Sequence, residues 1–508
     1  MNRKEFVVSA SAAAALASSG RTMFAQDAAA MTVSLHEDDG MPDVPEDFTG
    51  LSYELAQLTD PTFFSAKNRA LVDYFKLLSP RGVLRLGGNT SEFCWFKASA
   101  STEAPRLHVP PGDLSKNWMP HQLFAVEPHA IDELAGFLKA TGWRLIYGLN
   151  FGNSTPERAA VEAAYVWKSV GDRLEYFQVG NEPDLYTKAS NGTRPEGWTL
   201  VNFVEEWLDR IRAIGAKVPA ARFGGPDVAA SSDWVLQFGK MVGGERLVAL
   251  TGHYYAEGPP DDPTVTIDRL LAGNAKVARD TREIAAAAKR ENRVYRMTEG
   301  NSCYRGGKPG MSNAFAASLW GADYLLTLAS NWCAGANLHG GQSKFLTAGL
   351  GGHTPGMNVA KGPQTMPSGF YTPIRTEPGL DVKAMPVYYG ILLAQQFAGT
   401  TMLRCDKSTD NPDLSAYAGR TKKDMRVALI NKGSAAAADV TLRGVNGKRA
   451  RIWRLEGPAL DATEGVTLGG AEIADGAKWK PKEEEAAMSG DAIRIKVPAA
   501  SGVVLFVS

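Results

Sequence analysis

The sequence predicts an α/β fold, a (β/α)8 TIM barrel with a C-terminal all-β sandwich domain, on three observations. Eight short apolar segments alternate with longer helical stretches between Phe48 and Gly399. Most of these segments are nearly continuous apolar runs, as expected of strands buried on both faces of a parallel sheet. Past Gly399 the chain changes to short β-rich segments separated by Gly, Asn, Asp and Pro, which is typical of a sandwich of about 100 residues.

Eight strands, each followed by a helix, make a barrel the simplest architecture. A doubly wound sheet is the alternative, but the sequence contains neither a GxGxxG turn nor a P-loop. The predicted barrel strands are Phe48–Leu55, Gly82–Gly88, Arg144–Phe151, Tyr176–Pro183, Ala221–Asp227, Val248–Tyr255, Arg293–Asn301 and Gly335–Gly340.

Helices are predicted between the strands, and two of them begin with good capping residues, at Ser154-Thr155 and at Ser231-Ser232-Asp233. The loop Gly340–Pro373 is long for a barrel, and loops of that length are usually functional or disordered. The predicted helices are Lys67–Ser79, Glu127–Thr141, Pro156–Val170, Thr199–Gly215, Ser231–Met241, Thr264–Glu291, Ser312–Ser330 and Ala384–Gly399.

The all-β domain is predicted to draw on both ends of the chain. The strand-like segment Met31–His36 precedes the barrel, and we expect it to pair with the C-terminal strands. The barrel is therefore assigned to residues 48–399, and the β-domain to residues 31–47 plus 400–508. The predicted C-terminal strands are Met425–Ile430, Ala450–Leu455, Val466–Leu468, Ala492–Val497 and Gly502–Val507.

Residues 1–25 are predicted to be a signal peptide. A short basic head that contains Arg3-Lys4 precedes a weakly apolar stretch and then small residues up to about Ala25. The pair resembles a twin-arginine signal with the second arginine replaced, and ordinary export is the alternative. The apolar stretch is too short to span a bilayer. We expect an exported protein, periplasmic or secreted, with no membrane span.

Composition excludes several function classes. Lys plus Arg and Asp plus Glu each total 55, so the formal net charge is +0 and no nucleic-acid partner is expected. The four cysteines match no zinc pattern. A Cys303–Cys333 disulfide and free buried thiols both remain open. No GxSxG or HExxH motif occurs, and His253 and His339, at strand ends, are interpreted as packing or supporting residues.

Two predicted strands end in a carboxylate. The fourth ends at Asn181-Glu182-Pro183 and the seventh at Thr298-Glu299-Gly300. Strands four and seven lie on roughly opposite sides of an eight-stranded ring, so Glu182 and Glu299 face one another over its mouth. A separation of about 5–5.5 Å supports retaining glycoside hydrolysis, whereas about 6.5–9.5 Å accommodates a water molecule and inversion.

Stretches from most of the barrel, in order, resemble the clan of retaining (β/α)8 glycosidases that carry an Asn-Glu-Pro motif on strand four. Within the clan the sequence is most similar to glycoside hydrolase family 79, the β-glucuronidase and heparanase family. The β-domain matches by position and type alone. The supporting stretches are Gly50–Glu54, Leu84–Asn89, Asn181–Pro183, His253–Tyr255, Glu299–Gly307 and Pro386–Gly390.

The resemblance implies roles for five residues near the scissile bond. Glu299 corresponds to the nucleophile and Glu182 to the general acid/base. Asn181 is expected to hydrogen-bond the sugar 2-hydroxyl, an interaction that strengthens in the transition state. Tyr254 corresponds to the tyrosine that holds the nucleophile, with packing in the barrel interior as its alternative. Glu54 corresponds to a ligand of the sugar hydroxyls or to a buried group that the backbone satisfies.

Asn89 is expected to bind sugar hydroxyls, with the same alternative. In the family a Tyr-Gly-Gly stretch after the nucleophile and a tyrosine after strand eight bind the hexuronate carboxylate. Here Tyr304-Arg305-Gly306-Gly307 and Tyr371 match these positions, and Arg305 departs from the usual glycine. We expect its guanidinium to bind the substrate carboxylate or a neighbouring acidic group. A solvated loop arginine is the alternative.

The sequence therefore predicts a retaining exo-acting β-glycosidase that hydrolyses β-linked glucuronic acid or 4-O-methylglucuronic acid. Its partner is a carbohydrate substrate, and the resemblance implies no metal and no organic cofactor. Three alternatives remain: an endo-acting heparanase-like enzyme on an acidic polysaccharide, an exo-glycosidase for a neutral sugar, and a non-catalytic carbohydrate-binding barrel. The sequence does not predict the oligomeric state.

Overall fold

A computed structural model describes residues 29–108, 118–188, 191–244, 246–273, 275–351 and 369–508. Within them, eight parallel strands form a closed barrel and eleven strands form an all-β sheet. This arrangement confirms the predicted fold class. The predicted signal peptide lies outside the described residues and stays a prediction. Half of the predicted loop Gly340–Pro373, residues 352–368, also lies outside them, and the described part contains a short helix, Ser343–Gly349.

The barrel follows the order β10-β11-β2-β3-β6-β7-β8-β9, and all eight predicted strands are present. Two short pairs, β4 with β5 and β12 with β13, lie outside it. The strands up to the end of the barrel region are β1 (Ala29–His36), β2 (Thr49–Glu54), β3 (Val83–Gly87), β4 (Cys94–Phe96), β5 (Phe124–Val126), β6 (Arg144–Leu149), β7 (Leu174–Val179), β8 (Phe223–Val228), β9 (Leu247–Glu257), β10 (Val294–Cys303), β11 (Cys333–Gly340), β12 (Ile374–Arg375) and β13 (Lys383–Ala384).

The helices surround the barrel, and the predicted caps are formed: the Thr155 and Ser231 side chains accept backbone N–H groups of Arg158 and Trp234. The single predicted helix Thr264–Glu291 is wrong, because Gly273 takes a left-handed conformation and ends the first of two helices. The helices are α1 (Arg69–Leu78), α2 (Pro128–Thr141), α3 (Pro156–Val170), α4 (Leu200–Lys217), α5 (Ser232–Met241), α6 (Ile267–Ala272), α7 (Ala275–Arg290), α8 (Phe315–Ser330), α9 (Ser343–Gly349) and α10 (Pro386–Gln395).

The all-β domain is one sheet that curls over its own apolar core, and β1 lies inside it. β1 pairs antiparallel with β14 and parallel with β17. Inward-facing residues such as Val33, Val427 and Leu442 form the core, all with no exposed surface. The remaining strands are β14 (Thr401–Lys407), β15 (Leu414–Arg420), β16 (Met425–Asn431), β17 (Ala438–Arg443), β18 (Ala450–Glu456), β19 (Thr467–Leu468), β20 (Glu484–Ala486), β21 (Met488–Ser489), β22 (Ala492–Val497) and β23 (Ser501–Val507).

A partly buried polar contact joins the sheet to the barrel. Asp323 of α8 accepts a hydrogen bond from the Tyr417 hydroxyl at 2.7 Å and pairs with the Lys432 ammonium at 2.8 Å. All four cysteines are free, so Cys303 and Cys333 are not joined. No helix in the described part of the chain has the length and apolar character needed to cross a membrane.

Candidate active site

A cavity of about 370 Å³ lies at the carboxyl ends of the barrel strands, where active sites of this fold are built. Its lining includes seven of the ten predicted site residues: Glu54, Asn89, Glu182, Glu299, Tyr304, Arg305 and Tyr371. Apolar side chains complete the wall, among them Trp118, Met119, Leu185, Leu346 and Leu350. The other three predicted residues, Asn181, Tyr254 and Gly306, are not part of this lining.

Glu182 and Glu299 meet across the cavity floor. Glu299 lies on β10, and Glu182 lies just beyond the end of β7. One carboxylate oxygen of Glu182 and one of Glu299 lie within 4.8 Å of each other. Two carboxylate oxygens this close favour the spacing of about 5–5.5 Å found between the carboxyl groups of retaining glycosidases over the roughly 6.5–9.5 Å of inverting ones.

Glu299 is held as a carboxylate by cationic and hydroxyl donors. Its Oε2 accepts a hydrogen bond from the Arg85 guanidinium, and its Oε1 accepts one from the Tyr255 hydroxyl at 2.7 Å. Burial alone would raise the pKa of Glu299, but the nearby His339, His253 and Arg85 together lower it to about 2. Glu299 is therefore ionised at any pH near neutrality, as a nucleophile must be.

Glu182 has the opposite tendency. Its backbone is left-handed (φ 54°), and its N–H donates to the Asp227 carbonyl at 2.8 Å, which fixes the direction of the side chain. Burial raises the pKa of Glu182, and this effect outweighs the lowering influence of His253. The neighbouring Glu299 carboxylate raises it further. Two carboxyl groups with separated pKa values are the arrangement of an acid and a nucleophile.

A buried charge network beneath the two glutamates positions both. The Arg85 guanidinium, 1% exposed, donates to Glu299, to Asp227 and to Asn181 Oδ1 at 2.8 Å. His253 Nδ1 lies 2.9 Å from Glu182 Oε1, and His253 Nε2 lies 3.2 Å from Asp227 Oδ1. Burial would lower the pKa of His253, but the facing carboxylates raise it to about 10. The imidazolium thus links the acid/base to Asp227.

Arg85 and Asp227 were not predicted as site residues, and His253 was predicted only as a packing or supporting residue. One feature of the sequence could have identified Arg85. Arg85 is a lone charge inside an apolar strand, and such a charge requires a buried partner. Glu182, His253 and Glu299 also have the spacing of metal ligands. Both ring nitrogens of His253, however, already face carboxylate oxygens, of Glu182 at 2.9 Å and of Asp227 at 3.2 Å.

The prediction that Tyr254 holds the nucleophile is wrong by one residue. Successive side chains of a strand point to opposite faces. His253 and Tyr255 therefore share the face that carries the network, and Tyr255 donates to Glu299. The Tyr254 ring instead stacks on Tyr324 of α8, with centroids 5.3 Å apart. The alternative prediction for Tyr254, packing in the barrel interior, is closer to the structure, although the ring packs outward against helix α8.

Exchanging Tyr255 for Phe should slow hydrolysis about tenfold to a hundredfold, the usual cost of a lost hydrogen bond to a charged group. Because the Tyr255 hydroxyl lowers the pKa of Glu299, the acidic limb of the kcat/KM–pH profile should also move to higher pH. Tyr254→Phe is the matched control and should leave that limb in place. The assignment fails if the Tyr254 variant shifts the limb and the Tyr255 variant does not.

Exchanging His253 for Gln should move both limbs of the kcat/KM–pH profile upward. The imidazolium lowers the pKa values of Glu182 and Glu299, so its removal raises both, by about one to three units for an adjacent charge. The other charged groups that face it, Arg85 and Asp227, stay in place. A uniform loss of activity with unmoved limbs would reduce His253 to a packing role.

Glu54, Asn89 and Asn181 lie beside one another near Glu299. Glu54 Oε2 accepts the Thr90 N–H at 2.8 Å, and its carboxylate leaves no room for a Cβ at Gly88 or Gly349. The Asn181 amide donates to Asn89 Oδ1 at 3.2 Å. Asn181 itself is 1% exposed. Glu54 and Asn89 reach the cavity, and Asn181 lies directly behind Asn89.

The segment after β10 runs beside Tyr371. Arg305, Gly306 and Gly307 all have left-handed φ values of 58°, 89° and 88°. Gly306 accepts a hydrogen bond from the Gly369 N–H at 3.1 Å, and a Cβ on Gly307 would lie 2.7 Å from the Tyr371 nitrogen. Tyr371 is 4% exposed and its ring lies 6.2 Å from that of Tyr255. The predicted carboxylate-binding residues thus form one wall of the cavity.

Comparison with known proteins agrees with this geometry. The chain is 26% identical over 344 residues to a β-glucuronidase of Aspergillus niger, covering 62% of this chain and 61% of that protein. It is 25% identical over 339 residues to a β-glucuronidase of Neurospora crassa, covering 59% and 58%, and 29% identical over 216 residues to the heparanase of Mus musculus, covering 39% and 38%. These similarities support a resemblance to glycoside hydrolase family 79.

The family resemblance predicted from the sequence is thereby confirmed. The aligned part spans about three fifths of the length of the two β-glucuronidases. No family model matches the chain. Among solved structures, a 4-O-α-L-rhamnosyl-β-D-glucuronidase from Fusarium oxysporum superposes with a TM-score of 0.70 at 17% identity, covering 94% of this chain and 99% of that one. An arabinofuranosidase from Xanthomonas axonopodis pv. citri gives 0.64 at 16%, over 94% and 99%. At these identities the two structures support the fold of this chain.

Proposed function

We propose that this protein is a retaining exo-β-glycosidase that releases β-linked glucuronic acid, or its 4-O-methyl form, from glycans or glycosides. One observation carries the proposal. Two facing carboxyl groups lie within 4.8 Å of each other, one with a lowered and one with a raised pKa. That combination is what double displacement requires, and it also argues against a barrel that only binds carbohydrate.

The chemistry follows from the two pKa values. In the first step a Glu299 oxygen attacks the anomeric carbon, the bond to the leaving oxygen breaks, and Glu182 transfers its proton to that oxygen. In the second step the Glu182 carboxylate takes a proton from water while the water oxygen attacks the anomeric carbon and releases Glu299. Arg85 and Tyr255 hold the nucleophile in position through their hydrogen bonds. Both steps are general acid/base assisted.

The choice of glucuronic acid rests on two supports. Two relatives over the aligned part are named β-glucuronidases. The cavity wall formed by Tyr304, Arg305 and Tyr371 matches positions at which the resemblance places the hexuronate carboxylate. Exo action is supported by the shape of the site, because loops after β3, β7, β10 and β11 all contribute to the cavity wall. A wall on so many sides suits a chain end better than a chain interior.

A panel of substrates tests the proposal. Nitrophenyl β-glucuronide should be cleaved with a kcat/KM at least about a hundredfold above that of nitrophenyl β-glucoside or β-xyloside, since the site is taken to bind a carboxylate that those sugars lack. An unsulfated glucuronic-acid-terminated oligosaccharide should lose only its terminal residue. A faster glucoside or xyloside would overturn the choice of sugar. Internal cleavage of heparan sulfate would overturn exo action.

A further inference from the structure

The Arg305 side chain makes ring contacts that a solvated loop arginine would not make. Its guanidinium carbon lies 3.8 Å from the centre of the Trp118 ring and 5.7 Å from that of Tyr304. All three side chains line the cavity. Trp118 lies between the short strands β4 and β5, in the segment that connects barrel strands β3 and β6. Arg305 follows β10, and β10 is three positions from β3 around the barrel. The stacked pair therefore joins two loops across part of the cavity mouth.

The backbone at Arg305 is the second unusual feature. Its φ of 58° is left-handed, a conformation that glycine adopts without strain and that a long side chain rarely takes. The resemblance to family 79 places a glycine here. An arginine kept at a strained position, with its side chain aimed into a cavity, indicates a functional use for the guanidinium.

The Arg305 guanidinium has no ion-pair partner among the residues that the structure describes. Asp261 acts on it only at longer range. Burial lowers the pKa of Arg305, yet an arginine stays protonated. A stacked guanidinium keeps its N–H groups free at its edge, where they match the two oxygens of a carboxylate. The cavity thus presents an oriented cation without a counter-ion from the described chain.

We propose that Arg305, oriented by its stack on Trp118, binds a carboxylate of the substrate and so determines the preference for acidic over neutral substrates. This inference rests on the proposed function. The carboxylate belongs either to the uronic acid itself or to an acidic leaving group, and the bidentate chemistry is the same in both cases.

Arg305→Gly is the variant of choice, because glycine fits the left-handed backbone and folding should not suffer. Nitrophenyl β-glucuronide, nitrophenyl β-glucoside and carboxyphenyl β-glucoside are compared by the ratio of variant to wild-type kcat/KM, which cancels differences between leaving groups. We expect the glucuronide ratio to fall about tenfold to a hundredfold, the range for a lost hydrogen bond to a charged group, with the nitrophenyl glucoside unchanged. A selective fall for the carboxyphenyl glucoside would instead place the bound carboxylate in the leaving group.

Two further variants separate charge from geometry and from backbone effects. Arg305→Lys keeps the charge but loses the planar fork, so it should recover only part of the preference. Arg246→Gly is the matched control, since Arg246 is also left-handed, with φ 60°, but is exposed at the start of β9 and lies outside the cavity lining. It should leave all three ratios near one.

The outcomes distinguish this inference from the proposed function. If the wild-type protein cleaves the glucuronide, and the ratio of Arg305→Gly to wild-type kcat/KM stays within about twofold of one for every substrate, only the role of Arg305 is overturned. A wild-type protein without activity on the glucuronide would overturn the proposed function, and the inference with it.

Discussion

Replacing Glu299 by glutamine should abolish hydrolysis of the aryl glucuronide, with kcat falling by about four to six orders of magnitude, as when a covalent nucleophile is removed. The amide is nearly isosteric but cannot form the glycosyl-enzyme bond. The effect is large because the other two carboxylates of the described cavity lining are held by their own partners. Glu54 accepts hydrogen bonds from Thr90, and Glu182 contacts His253. Initial rates over a wide range of enzyme concentration provide the measurement.

A control is required because Glu299 also neutralises Arg85. Glu162→Gln removes another buried carboxylate, which does not line the cavity. Glu162 is 3% exposed and accepts a hydrogen bond from the Tyr147 hydroxyl at 2.8 Å. It should retain near-wild-type activity, and thermal melting of both variants should show folded protein. Substantial activity in Glu299→Gln would contradict its assignment as the nucleophile.

Replacing Glu182 by glutamine should reduce kcat/KM about a hundredfold to ten-thousandfold on substrates with sugar leaving groups, the range for a lost general acid. The loss should shrink for nitrophenyl leaving groups, which depart without protonation. The alkaline limb of the pH profile should disappear, because activity is normally lost as Glu182 deprotonates with rising pH. The raised pKa of Glu182 places that limb above the usual carboxyl range.

A small anion provides the check on Glu182. In Glu182→Gln the covalent intermediate on Glu299 accumulates, since no general base activates water. Azide needs no such base, so it should restore turnover of the nitrophenyl glucuronide and yield a glycosyl azide. The same azide concentration should not restore Glu299→Gln by that route. An equal loss on all leaving groups, with no response to azide, would contradict the acid/base role.

The barrel and its two glutamates were predictable from the sequence, because each depends on local information. An apolar run buried on both faces marks a strand wherever it occurs. A carboxylate at the end of such a run points to the mouth of the ring. Glu182 and Glu299 are 117 residues apart along the chain, yet each could be found from its own strand. The structure brings one carboxylate oxygen of each within 4.8 Å of the other.

The supporting network was not predictable in this way, because it depends on pairs formed by barrel closure. Arg85 on β3 reaches Asp227 of β8 and Glu299 of β10, contacts that no single segment encodes. To predict Tyr255, one must know which side chains of β9 face the barrel interior, and an error of one residue selects the opposite face of the strand. His253 and Tyr255, two positions apart, would have given that orientation once His253 was known to face inward. The stack of Arg305 on Trp118 joins two loops, and the length and composition of loops do not predict which of their residues will meet.

The anomeric configuration of the first-formed sugar tests the central claim most directly. Proton NMR during the first minutes of aryl β-glucuronide hydrolysis resolves the two anomers before they interconvert. Double displacement through Glu299, with carboxylate oxygens within 4.8 Å of each other, predicts that β-glucuronic acid forms first and the α-anomer appears only by mutarotation. Initial formation of the α-anomer would contradict the account.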